Sequence, residues 1–142
     1  MTDEDNLLAQ VSHSHCQTEH GSTVKVVPDD NGELFVLFWQ SPFMKFVYNC
    51  YPTLLCMDST YKINNRNMPL YSLLAIDGEG KGQVVTYAIV RDESEKALTT
   101  VLQLFKDNNE KAEQSLQLVI VDKDYAEINS IRAVFGNAKV LL

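Results

Sequence analysis

The sequence predicts an α/β domain in which a meander of three strands feeds alternating helix and strand units, forming a mixed sheet with helices packed on it. Three observations predict it. The apolar runs TLLCMDSTY (53–61), PLYSLLAI (69–76) and QVVTYAIV (83–90) are short and follow one another across polar joints. The period then changes: Leu98, Val101, Leu102 and Phe105 recur at the spacing that places side chains on one face of a helix. Finally, LQLVIV (116–121) is a continuous apolar run of the kind covered on both faces of a sheet.

Taken in order, residues 1–32 are polar and acidic and read as a flexible N-terminal tail, leaving 33–142 as the domain. ELFVLFWQ (33–40) reads as a buried strand. SPFMKFVYNCY (41–51) reads as a short helix with Ser41 as N-cap and Pro42 at its first position, ended by Pro52. The glycine-rich joint DGEGKG (77–82) predicts a hairpin, because glycine supplies the positive φ of a tight turn. Asp92 with Glu95 makes a capping box for the next helix, which DNNEKAEQ (107–114) breaks. A second box, Asp124 with Glu127, opens YAEINSIRAVF (125–135), whose Ile128, Ile131 and Phe135 share a face before Gly136 ends the helix. AKVLL (138–142) begins a last strand.

With 142 residues and 45% hydrophobic content, the chain is long enough for one domain with a real core. Its net charge of −7 is uneven: residues 1–33 carry seven acids against Lys25 alone, net −6, which leaves 11 basic and 12 acidic residues beyond them. Such a near-neutral body, with arginine only at positions 66, 91 and 132, offers no electrostatic footprint for nucleic acid. Autonomous nucleic-acid binding is therefore expected to be weak or absent. Cys16, Cys50 and Cys56 are too few for a disulfide scaffold, and no secretory signal pattern opens the chain, so an intracellular home is expected. No apolar run approaches the roughly 20 residues of a membrane span.

Two acids close apolar runs: Asp58 after LLCM and Asp122 after LVIV. If their strands are parallel neighbours, both carboxylates project near the carboxyl edge of the sheet. Such a pair can hold Mg²⁺, a hard cation that prefers oxygen ligands. The plainer reading is that each aspartate caps a turn. Other features carry two readings as well. His13, His15, Cys16 and His20 are a metal cluster or chance in a tail, the latter preferred because no supporting shell is in view. Cys50 and Cys56 read as small core fillers. Phe38, Trp39, Phe43 and Phe46 read as core packing in preference to a base-stacking platform, since only Lys45 is interleaved. Lys62, Arg66 and Lys123 lie close in sequence to the aspartates and read as a solvated rim in preference to a phosphate contact. Asp124 reads as an N-cap.

Two longer stretches carry a family likeness. DSTYKINNRNMPLYSLLAIDGEGKGQVVTYAIVRDESEKAL, followed by LVIVDKDYAEINSIRAVFGNAKVLL, resembles the RNase H-like domain of Mutator-like element transposases. It is similar above all to the domesticated SWIM-type zinc-finger proteins, from about residue 35 to residue 142. The resemblance implies an RNase H-like mixed sheet of order 3-2-1-4-5, truncated before its C-terminal helices. It also implies that Asp58 is the first catalytic acid and Asp122 the second, with Mg²⁺ as cofactor if the site is active. In the family a third acid, usually Glu, comes from a helix downstream of the fifth strand. The Cys-x-Cys and Cys-x-His pairs of a SWIM finger are not found in this sequence either. The expectation is thus a vestigial pair, Asp58 and Asp122, in a non-catalytic scaffold or interaction module of a nuclear protein. Its partner would be a protein, or chromatin reached through the full-length protein. The rival is a Mg²⁺-dependent DDE-type nuclease or transposase domain whose third acid lies outside this chain. A third reading has the His-containing acidic tail binding metal or a basic partner.

Overall fold

In a computed structural model, which describes residues 21–60, 68–122 and 124–142, one mixed sheet of seven strands forms the frame. The strands are β1 (Thr23–Pro28), β2 (Leu34–Gln40), β3 (Leu54–Thr60), β4 (Leu70–Ile76), β5 (Gly82–Val90), β6 (Leu118–Ile120) and β7 (Lys139–Leu141). The helices among the described residues are α1 (Pro42–Cys50), α2 (Glu95–Asn108), α3 (Glu110–Ser115) and α4 (Tyr125–Val134). Across the sheet the order is β1-β2-β5-β4-β3-β6-β7. Neighbours from β1 to β3 run antiparallel, whereas β3–β6 and β6–β7 are parallel. The mixed α/β architecture is consistent with an RNase H-like fold. The five-strand order expected from the resemblance does not describe the whole sheet, because β1 and β2 extend it on the side of β5.

β1 falls inside the segment expected to be tail. Its sequence TVKVVP is rich in β-branched residues and pairs along β2 from Thr23↔Gln40 to Pro28↔Leu34, so local β-preference prevails over the acidic composition around it. Asp29 then closes the turn to β2, its Oδ1 accepting from the amides of Asn31 and Glu33 while Gly32 takes φ +78°. Arg91 holds the same corner from the end of β5 by donating to Asp29 and to the Leu34 carbonyl.

Ser41 caps α1 as the sequence predicts, its Oγ accepting from Met44 N at 3.1 Å, with Pro42 opening the helix. In the β4–β5 hairpin Asp77 Oδ1 accepts from Glu79 N and Lys81 N, 2.9 Å each, and Gly80 supplies the positive φ. The N-cap of α2 is Ser94, not Asp92: Ser94 Oγ takes Ala97 N, and Asp92 instead turns the chain by accepting from Ser94 N. DNNEKAEQ breaks the helix at Asn108, yet its second half winds into α3.

One core joins one face of the sheet to all four helices. Val36, Phe38, Leu55, Met57, Tyr71, Leu73, Val85 and Val119 meet Tyr48 of α1, Leu98, Val101, Leu102 and Phe105 of α2, Ala112 of α3 and Ile131 and Val134 of α4. Tyr48 packs edge-on against Phe105 with ring centroids 4.8 Å apart. The opposite face carries Leu54, Cys56, Leu74, Leu118 and Ile120, all half-buried, and a smaller cluster of Leu34, Leu37, Met68 and Ile89. Two sequence expectations change here. Cys50 is exposed and Cys56 half-buried, because the first ends α1 on its outer side and the second lies on the face away from the helices. Phe43 and Phe46 are not core residues: the buried positions of α1 are Val47 and Tyr48, which turns the two phenylalanines outward.

A slip in register between Leu73 and Leu74 makes Val85 an extra residue in β5, a bulge. Its carbonyl accepts from Gln40 Nε2 at 2.9 Å. Gln40 is fully buried and also exchanges two amide bonds of 3.0 Å with Asn109, whose Nδ2 in turn donates to Phe105 O. This closed network ties β2 and β5 to the junction of α2 with α3. Removing one member leaves the others dry and unpaired, so Gln40→Ala should cost on the order of 2–4 kcal/mol. Urea unfolding checks it; a loss below about 0.5 kcal/mol, the scale of an ordinary surface substitution, would show that the network carries no stability.

Candidate functional site

Asp58 and Asp122 are brought together by the parallel pairing of β3 with β6. Cys56 and Ile120 are register partners, and each aspartate follows its partner residue by two positions, so the two stand at the same level of adjacent chains. Neighbouring strands lie about 4.8 Å apart, within the span of two carboxylates facing one ion. Asp58 is not at a strand end, however. β3 continues to Thr60 and places Asp58 opposite Ser72 of β4. Among the described residues its Oδ1 accepts from the next amide, Ser59 N, at 3.0 Å. Asp122 lies just past β6, and its carbonyl takes Asp124 N at 2.7 Å where the chain turns into α4. Both aspartates are exposed.

Sequence reasoning missed a third acid, Glu127. Its spacing from Asp124 predicts the closing half of a capping box. Asp124 does cap α4, its Oδ1 accepting from Ala126 N and Glu127 N, but its own amide is committed to Asp122 O and the Glu127 carboxyl does not return a bond. The buried positions of α4 are Glu127, Ser130, Ile131 and Val134. That is an i, i+3, i+4, i+7 stripe; Ile131 and Phe135 of the expected face are buried in the core and Ile128 packs against it, so the buried side of α4 includes that face and extends to Glu127. The signal was present in the sequence as an acid standing on an otherwise small or apolar stripe. Glu127 is 4% exposed, and its Oε2 has no hydrogen-bond partner among the described residues. Nearby, the buried Tyr71 donates to Glu93 Oε1 at 3.0 Å, and burial together with that carboxylate pushes the phenol's pKa up.

Glu127 does not complete a metal site with the aspartate pair. Asp58 alternates along β3 with the buried Leu55 and Met57, so it lies on the face away from the helices, while Glu127 comes from α4 on the helix-covered face. Accordingly, among the described residues no three Asp, Glu, His or Cys side chains converge on one point where they could hold a metal ion. Lys62, Arg66, Lys123 and the His13, His15, Cys16, His20 group lie outside the described residues. No helix among the described residues is long and apolar enough to cross a membrane.

Burial first, and then the charges of Asp124, Asp122, Glu93 and Asp58, hold the Glu127 carboxyl at about 7, up from its ordinary 4.5. The folded chain therefore keeps a proton that the unfolded chain gives up near pH 4.5. Stability from this group falls as pH rises from about 4.5 to about 7 and is level above. Glu127→Gln keeps the shape without the charge. It should flatten that slope and leave the protein more stable than wild type at pH 8 by on the order of 2–3 kcal/mol. Urea unfolding between pH 5 and pH 8 measures it, and parallel curves for the two proteins would contradict it.

No curated protein matches the chain. A family model does: zinc finger SWIM domain-containing protein 1/3, RNaseH-like domain, over residues 13–141. That match takes in the sheet, the four helices and both aspartates. The chain belongs to the RNase H-like domain family of the SWIM zinc-finger proteins.

Proposed function

We propose that this chain is a transposase-derived domain kept as a non-catalytic scaffold or interaction module of a nuclear SWIM-type zinc-finger protein. One observation carries the reading. Asp58 and Asp122 stand level on neighbouring chains, yet among the described residues no third ligating side chain joins them. Cleaving a phosphodiester in the two-metal manner needs carboxylates that clamp two ions about 4 Å apart, and a pair alone holds such an arrangement weakly. The charge balance supports the same reading. At −7, the chain repels a phosphate backbone and favours protein partners, or chromatin reached through the rest of a longer protein.

The second reading, a Mg²⁺-dependent nuclease or transposase domain completed by an acid from elsewhere, is favoured by the level placement of the pair, which a turn-capping role does not require. Incubation of the purified chain with supercoiled plasmid and Mg²⁺ or Mn²⁺ decides between them. The expected result is no nicking above that of the Asp58→Asn variant. Metal-dependent nicking that disappears in Asp58→Asn and in Asp122→Asn would establish the nuclease.

A further inference from the structure

α1 presents an outer face that the rest of the described chain does not cover. Phe43 and Phe46 are 68% and 64% exposed, far beyond what two phenylalanines one helical turn apart show in a packed domain. Beside Phe46 runs a groove of about 420 Å³ between α1 and the break that separates α2 from α3, lined by Lys45, Tyr48, Asn49, Asn108 and Lys111 among others. Both lysines are held in place by neutral carbonyls. Lys45 Nζ donates to Gly21 O at 2.9 Å, and Lys111 Nζ donates to Asn49 O at 3.1 Å in the last turn of α1. Neither forms an ion pair with a carboxylate among the described residues, and α1 itself, PFMKFVYNC, contains no acid. Glu110 is the one acid lining the groove, so its walls carry a net positive charge on a chain whose total is −7. Two tethered cations flanking exposed aromatic rings make a surface complementary to negative charge attached to an apolar anchor.

We infer that this groove is a docking site for an acidic peptide segment of a partner protein, with an aromatic or leucine anchor set against Phe43 and Phe46 and carboxylates set against Lys45 and Lys111. The inference rests on the interaction-module reading and gives that module its surface. A peptide fits better than a nucleic acid. Two lysines would neutralise at most two phosphates, while the acidic remainder of the chain would repel the others. A short peptide brings its charge only where the lysines are. The amides of Asn49 and Asn108 add partners for a peptide backbone.

Fluorescence anisotropy of the full chain with a fluorescein-labelled peptide GSDFSLLEG, whose two carboxylates match the two lysines, tests it. Saturable binding is expected, weakened by at least about tenfold in Phe46→Ser and again in the double variant Lys45→Glu with Lys111→Glu. Phe46 and Lys111 are exposed and Lys45 half-buried, so circular dichroism and Tm of each variant are compared with wild type, and only variants that keep the wild-type fold are scored. A peptide with Ser in place of its Phe and Leu residues should bind at least about tenfold more weakly. The inference is overturned if the peptide does not bind, if the variants bind it as well as wild type, if the Ser peptide binds equally, or if a single-stranded DNA of roughly 20 nucleotides binds more tightly than the peptide. Those results leave the non-catalytic reading standing, since plasmid nicking alone decides that, and nicking would sink the non-catalytic reading whatever the peptide does.

Discussion

The parallel pairing of β3 with β6 is the constraint from which the rest of this structure follows. Two parallel strands cannot be joined by a tight turn, so the chain has to leave the far side of the meander at the end of β5, cross the sheet and return in the same direction as β3. α2 and α3 make that crossing, and their apolar faces have only one place to go, which is the sheet surface formed by Leu55, Met57, Tyr71 and Leu73. The same requirement recurs between β6 and β7, where α4 makes the crossing and settles against α2. An antiparallel β6 would have carried Asp122 to the opposite end of the sheet from Asp58. Their adjacency is thus a result of connectivity before it is a result of chemistry.

The alternation of a strand then divides what connectivity has gathered. Along β3 the even positions look away from the helices and the odd ones toward them, which sends Asp58 to one face and leaves Met57 in the core. Glu127, Glu93 and Tyr71 belong to the helix-covered side, where burial favours the protonated form of the Glu127 carboxyl. Five acids crowd one end of the sheet, but the sheet itself stands between two groups of them. Proximity along a strand edge, which sequence spacing can suggest, is a weaker condition than convergence on a single point.

Much of this was legible in the residues. The strands after residue 53 announced themselves because their apolar runs are long relative to the turns between them, and α2 did so through a clean stripe from Leu98 to Phe105. β1 was hidden by its neighbours: averaged over residues 1–33 the composition is that of a tail, and only the five residues TVKVV carry the opposite signal. The capping-box pattern points to Asp92, which alone has a Glu three residues on, whereas Ser94 caps α2 two residues later with Ala97 at that position; the choice between the two depends on where β5 releases the chain. Glu127 was lost for a related reason. A capping-box reading explained it fully in one dimension, whereas its burial depends on the rotation of α4 against α2, which no local pattern encodes. The aspartate pair was found because apolar runs that stop at an acid are visible without knowing the fold.

The bulge at Val85 has a meaning for fidelity. Because side chains alternate strictly, sliding β5 by one residue against β4 would exchange its inner and outer faces, and hydrophobic burial alone penalises that only in aggregate. With the bulge, the native alignment presents a spare carbonyl at the level of Gln40, and among the described residues the Gln40 amide is satisfied by that carbonyl and Asn109. A misaligned hairpin would thus fail a specific, local inspection carried out by a side chain from a third strand. The buried amide works as a gauge that admits one pairing of the meander.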